Sequence, residues 1–142
     1  MTISRCEAEP VIVIVAAVVL DDEGRLLLVR KQGTDCFMLP GGKLAPGEGP
    51  FEALERELVE ELGSGLAAEP RLLGEYEAPA ANEPGHRVEA RIFTAKLAGV
   101  PIACSEICEL VWHDPDLEPM FRLAPLARDR VLPELRALRR AA

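Results

Sequence analysis

Residues 50 to 62, PFEALERELVEEL, restrict the fold more than any other segment. Pro50 suits the first position of a helix entered from Gly49, where a missing N–H costs nothing, and Gly63 suits the left-handed position just past the end. Phe51, Leu54, Leu58 and Leu62 recur at intervals of three and four, so at about 100° per residue they stack into one apolar stripe. Such a stripe needs a sheet to cover it. Glu57, Glu60 and Glu61 are spaced by three and one, which predicts one carboxylate face directed away from the stripe, with Arg56 on its flank and Glu48 ahead of the helix.

Strand candidates surround this helix. Val11 to Leu20 is rich in Val and Ile, and Arg25 to Lys31 has a Leu-Leu-Leu-Val core; with Asp21-Asp22-Glu23-Gly24 between them the two runs predict a hairpin. Leu39-Pro40-Gly41-Gly42 is a breaker cluster expected to end the sheet and start a loop through Pro46-Gly47. Further strands are expected over 72–77, over 87–97 with Val88, Ala90, Ile92 and Thr94 alternating, and over 106–112, where Asp114-Pro115 stops the last. The stretch from Pro79 to Gly85 is a polar, breaker-rich connection. Residues 121–142 carry six Arg against Asp129 and Glu134 and predict a closing helical segment restarted near Pro133, its Arg-rich face either solvated or a dimer contact. With no internal repeat or linker, residues 1–142 are expected to form one α/β domain with a mixed sheet.

Composition narrows the partners. The 142 residues hold 24 Asp and Glu against 16 Lys and Arg, a net charge of -8, which disfavours a nucleic-acid polymer or an anionic membrane as partner. At 4% aromatic residues the chain offers few stacking platforms for single strands. The apolar run from Val11 to Leu20 is about half of the ~20 residues a spanning helix needs, and Glu7 and Glu9 stand where a signal peptide carries positive charge. Cys6, Cys36, Cys104 and Cys108 fit no disulfide or zinc pattern, so reduced thiols and a cytoplasmic address are expected. Oligomeric state, monomer or homodimer, is not encoded in any pattern of this kind.

Like charges three and four residues apart cost a helix a few tenths of a kcal/mol per pair, and something must offset that. A solvated acidic face does so through water. A hard-cation site does so through Mg2+ or Mn2+, which favour several carboxylate oxygens and keep positions open for water and phosphate.

The wider spacing bears on the choice through a resemblance. Gly42, five residues, Glu48, seven residues, Arg56-Glu57-Leu58, one residue, Glu60-Glu61, one residue and Gly63 follow one another over 22 residues. This string resembles the Nudix box, the signature of the Nudix hydrolases, at every charged and glycine position. Ser64 alone departs, where that family favours an aliphatic residue. The approach Phe37-Met38-Leu39-Pro40-Gly41-Gly42 and the stretch from Trp112 to Leu117 also look familiar, so the resemblance covers about residues 10–120.

The resemblance implies an α/β/α sandwich with a mixed central sheet. It implies hydrolysis of a nucleoside diphosphate linked to another moiety, most simply a nucleoside triphosphate or related nucleotide, with Mg2+ or Mn2+ as cofactor. Glu57, Glu60 and Glu61 would ligate the cation with the Gly41 carbonyl, Arg56 would pair with Glu48 to hold the loop, and the base would be one of the carboxylates. Family members often recruit one more carboxylate from near the last strand; Glu109 is the first candidate and Glu106 the second. Lys43, Arg30 and Gly42 are the candidate phosphate contacts, the two cations being equally readable as surface charges.

Tyr76, Asn82, His86 and Phe37 are candidates for contact with the group carried by the diphosphate, or are turn and packing residues. Pro79, fifteen residues beyond Ser64, resembles the marker of an ADP-ribose subgroup and keeps an ADP-ribose or ADP-sugar pyrophosphatase as an alternative. A non-catalytic nucleotide-binding regulator on the same fold would show eroded box carboxylates, and none is eroded. An allylic diphosphate isomerase on a related fold would need a catalytic Cys, for which Cys36 is the available residue.

Overall fold

A computed structural model describes residues 10–141, so Cys6, Glu7 and Glu9 lie outside the described residues. The chain runs β1 (Val11–Val18), β2 (Leu26–Lys31), β3 (Cys36–Met38), β4 (Gly41–Lys43), α1 (Pro50–Leu62), β5 (Arg71–Pro79), β6 (Arg87–Thr94), β7 (Ile107–His113) and β8 (Arg122–Leu123). A π-helical segment, Leu126–Val131, then passes directly into α2, Leu132–Ala141. The helix expected over 50–62 is present with Gly49 as its cap, Pro50 in its first turn and Gly63 left-handed at φ 71°. Restarting at Leu132 puts Pro133 in the first turn of α2.

The mixed sheet is present as two four-stranded ladders, β4-β1-β6-β5 and β7-β2-β3-β8. In the first, β1 pairs parallel with β6 and antiparallel with β4; in the second, β3 pairs parallel with β8. The expected hairpin is corrected here. β1 and β2 touch only at their base, through the Leu20–Leu26 bridge and the Leu27 N–H on the Val19 carbonyl, and then part into different ladders. Val15 to Val19 and Leu26 to Val29 are buried on both faces, so each run takes a central place between two partner strands.

The breaker cluster does not end the sheet either, because Gly41–Lys43 pairs with β1. The change of ladder falls at Pro40, whose carbonyl accepts the Ala17 N–H at 2.9 Å while its ring has no N–H to offer. The remaining expected strands hold with ends shifted by one to three residues.

Alternate residues of the central strands face two helical layers. Val15, Ala17, Leu27 and Val29 pack under Leu54, Leu58 and Leu62 of α1, while Ala16, Val18, Leu26 and Leu28 pack with Val131, Leu132 and Leu135 on the other side. This is the α/β/α sandwich. Each fully buried Leu of α1 contributes roughly 1.5–3 kcal/mol. Phe51 departs from the expected stripe: it is 44% exposed and rests edge-on against Phe93 at 5.3 Å, because the first turn of α1 overhangs the sheet.

Two further sequence features find their places. Arg139 of α2 holds Asp114, Asp116 and the Gly24 carbonyl, and Arg136 donates to the Pro115 carbonyl, so part of the Arg-rich segment ties α2 to the exit of β7. Ser64, buried where an aliphatic residue was expected, accepts the Gly99 N–H at 2.8 Å and donates to the Gly65 carbonyl.

Candidate active site

Arg56 organises the start of the site. Its Nε and Nη2 donate to the two oxygens of Glu48 at 2.7 and 2.8 Å, Nη2 also donates to the Lys43 carbonyl at 3.0 Å, and Nη1 donates to Glu57 Oε2 at 3.0 Å. The loop from β4 is thereby fixed to α1 by a bidentate, charge-assisted pair. Glu48 also accepts the Ala45 N–H, and the Arg56 hydrogen bond holds its carboxyl down at about 2.

The three box carboxylates differ in their surroundings. Glu60 is 54% exposed and lies 3.6 Å from Arg56, Glu57 is half-buried, and Glu61 is 3% exposed. Glu61 therefore corrects the expected face directed away from the leucines, because it sits on the border of the stripe and turns inward beneath β4. β4 opens with two glycines, which keep this floor free of side chains. A side chain at Gly42 would occupy the position of the Glu57 carboxyl, and one at Gly41, where φ is 150°, would run into the β1 backbone. The Gly41 N–H donates to Glu61 Oε1 at 3.1 Å.

Among the described residues no Lys or Arg side chain pairs with Glu61. Burial pushes its carboxyl up to about 8, with the neighbouring Glu57 adding to the effect, and burial raises Glu57 as well. No group of three or more His, Cys, Asp or Glu among the described residues is gathered as a ready metal cage. The donor set nevertheless suits a hard divalent cation: oxygen ligands only, from Glu57, Glu60 and Glu61 gathered at one end of α1.

A cavity of about 370 Å³ adjoins this floor. Gly41, Gly42 and Glu57 line it together with Lys31, Lys43 and Glu106, and its aliphatic wall comes from Ile12, Ile14, Val88 and Leu126. Residues 79–83 close one side, bringing Asn82 and Pro79 to the cavity and setting Glu83 3.6 Å from Lys43.

Several expected contacts are not brought here. Arg30 and Glu109 face each other across the β2–β7 ladder, Nε at 2.9 Å and Nη2 at 2.8 Å from Oε1, and Arg30 also holds the Thr34 carbonyl. That ladder pairing withdraws both, so Glu106, the second candidate, is the carboxylate that lines the cavity. Lys31 takes the place expected of Arg30, and adjacent basic residues at a strand end were the signal for it. Tyr76 packs on the α2 side with its ring over Gly74, Phe37 stacks on Phe121 at 4.6 Å, and His86 bonds within its own turn to the Pro84 carbonyl. Cys36 is buried beside Phe37 in β3, away from the carboxylates.

Comparison with known proteins agrees with this geometry. The model of the NUDIX domain matches residues 10–135. A protein of Bacillus subtilis (strain 168) named "Putative 8-oxo-dGTP diphosphatase" is 30% identical over 106 residues, 73% of this chain and 67% of that protein. An RNA pyrophosphohydrolase of Halorhodospira halophila is 45% identical over 53 residues, 37% of this chain and 29% of that protein, so the chain spans under a third of that relative. The solution structure of the E. coli ORF135 protein superposes with a TM-score of 0.74 at 28% identity, covering 99% of this chain and 97% of that one. With the complete box built into a sandwich of this topology, the chain belongs to the Nudix family and is a hydrolase of diphosphate bonds.

Proposed function

We propose that this protein is a divalent-cation-dependent pyrophosphohydrolase of small nucleotides, with a nucleoside triphosphate as substrate and Mg2+ or Mn2+ as cation. The observation that carries the reading is Glu61, a buried carboxylate beside Glu57 on a floor of two glycines, which accepts the Gly41 N–H and among the described residues forms no ion pair with Lys or Arg. Glu57, Glu60 and Glu61 with the Gly41 carbonyl would hold the cation, and Glu106 is the additional carboxylate in place of Glu109. When bound, the cation supplies charge neutralisation of the diphosphate and acidifies water.

The chain's own groups do the rest. Arg56 keeps Glu57 oriented and the 43–48 loop seated, which fixes the floor to within a hydrogen bond's tolerance. Lys43 reaches the diphosphate from the cavity's mouth, and the aliphatic wall keeps bulk water from the non-phosphate part of the substrate. A carboxylate of the Glu57, Glu60 and Glu61 group takes the proton of the attacking water, the phosphoric anhydride P–O bond breaks, and the leaving phosphate departs with its charge compensated.

A relative named for 8-oxo-dGTP places oxidised purine triphosphates in the substrate panel. Pro79 on the cavity wall keeps ADP-ribose and nucleotide sugars there as the second reading. Incubation with that panel and Mg2+ should release phosphate or pyrophosphate from at least one nucleotide, and Glu61→Gln should lower the rate by roughly 100-fold or more with the fold intact. No release from any member would refute the reading.

A further inference from the structure

Lys31 ends β2 at the floor of the cavity, outside the box pattern. In the β2–β7 ladder Arg30 stands opposite Glu109 and Lys31 opposite Ile107, so Cys108 is the extra residue of a bulge. The extra residue belongs to β7, and on β2 the ordinary alternation of faces puts Arg30 against Glu109 and Lys31 at the cavity. The chain just before β7 departs from regularity as well. Ser105, at φ 57°, is the one non-glycine residue with positive φ among the described residues, in a turn closed by the Ile107 N–H on the Cys104 carbonyl. The Cys104 N–H is bonded to the Glu61 carbonyl at 3.0 Å, so the turn is anchored to the end of α1 that carries the buried carboxylate.

The two irregularities bring Lys31 Nζ and Glu106 Oε1 to 3.6 Å at the cavity wall. With Glu106 63% exposed this contact is a loose one, worth little to stability. Lys31 lines the same cavity as Glu57 and Glu106. A positive charge on the cavity wall shared with Glu57 and Glu106 opposes a cation arriving alone and favours one arriving with a diphosphate.

We propose that Lys31 is a substrate-binding residue that couples cation uptake to diphosphate binding: its ammonium rests against Glu106 in the free protein and moves to a phosphate oxygen of the nucleotide in the complex. The inference rests on the reading that Glu57 and Glu61 hold the cation.

Calorimetric titration with Mn2+ alone, with and without a non-hydrolysable nucleoside triphosphate analogue, tests it in the wild type, Lys31→Met, Lys31→Arg and Glu106→Gln. Lys31→Met is expected to bind Mn2+ alone about tenfold more tightly and the nucleotide about tenfold more weakly, with a raised KM and a smaller change in kcat. Lys31→Arg should return both toward wild type, and Glu106→Gln should weaken Mn2+ binding. If Lys31→Met leaves both affinities unchanged, or lowers both together with the melting temperature, the proposal fails while the cation reading stands. A wild type that takes up no Mn2+ overturns the cation reading and this proposal with it.

Discussion

Glu61 concentrates the conflict between folding and function into one side chain. Its carboxyl, pushed up to about 8 by burial, binds a proton more tightly folded than unfolded, where its ordinary value is 4.5. The sign follows directly: below pH 4.5 both states are protonated and the group is neutral toward stability, and between 4.5 and about 8 the unfolded chain ionises first, so metal-free stability falls as pH rises. Glu61→Gln is therefore expected to stabilise the cation-free protein at pH 7 by about 3 kcal/mol, read as a higher denaturation midpoint, with little gain at pH 4. An equal gain at both pH values would contradict the origin assigned to the shift. Gly42→Ala should act oppositely to a mild surface change: its methyl displaces the Glu57 carboxyl, so cation-dependent activity should drop at least tenfold while the melting point moves little. At this scale the box was legible through its resemblance to the Nudix signature, and helix periodicity grouped only Glu57, Glu60 and Glu61. The difference between buried Glu61 and exposed Glu60 was not, since it depends on a β4 strand whose glycines read as a loop.

At the scale of elements, the junction of β4, its loop and α1 is held by one guanidinium. Glu48, kept near 2 by the Arg56 hydrogen bond, has a folded value below its ordinary 4.5, so its contribution is present above pH 4.5 and is lost as pH falls toward 2. Arg56→Ala should flatten the acid limb of the stability profile in that window, and should reduce turnover more than it reduces melting temperature, because no ligand is removed while the seat of Glu57 loosens. An acid limb identical to that of the wild type would exclude the pair as its source. The helix and most strands could be read from period and breakers, whereas their pairing could not. Val11 to Val18 and Leu26 to Lys31 are neighbours in sequence with a good turn between them, and only the burial of both faces of each run separates them into two ladders. The same limit explains Arg30 and Glu109: nothing local reveals that they stand opposite each other, 79 residues apart, and neutralise one another.

For the molecule as a whole, the net charge of -8 has a local origin. Between residues 48 and 61 six Glu face Arg56 alone, and the cavity beside them is lined by Lys31 and Lys43. The two ladders part at Pro40, and that parting opens the floor where α1 carboxylates from one layer meet the cavity on the other side of the sheet. Among the described residues no helix is long and apolar enough to cross a membrane. Glu57 and Glu61, over the two glycines, form the proposed cation site. Mn2+ binding followed by electron paramagnetic resonance, in wild type and Glu61→Gln at pH 7, tests it most directly. Saturable binding is expected in the wild type with at least a tenfold loss of affinity in the variant, and equal binding by the two proteins would contradict the assignment.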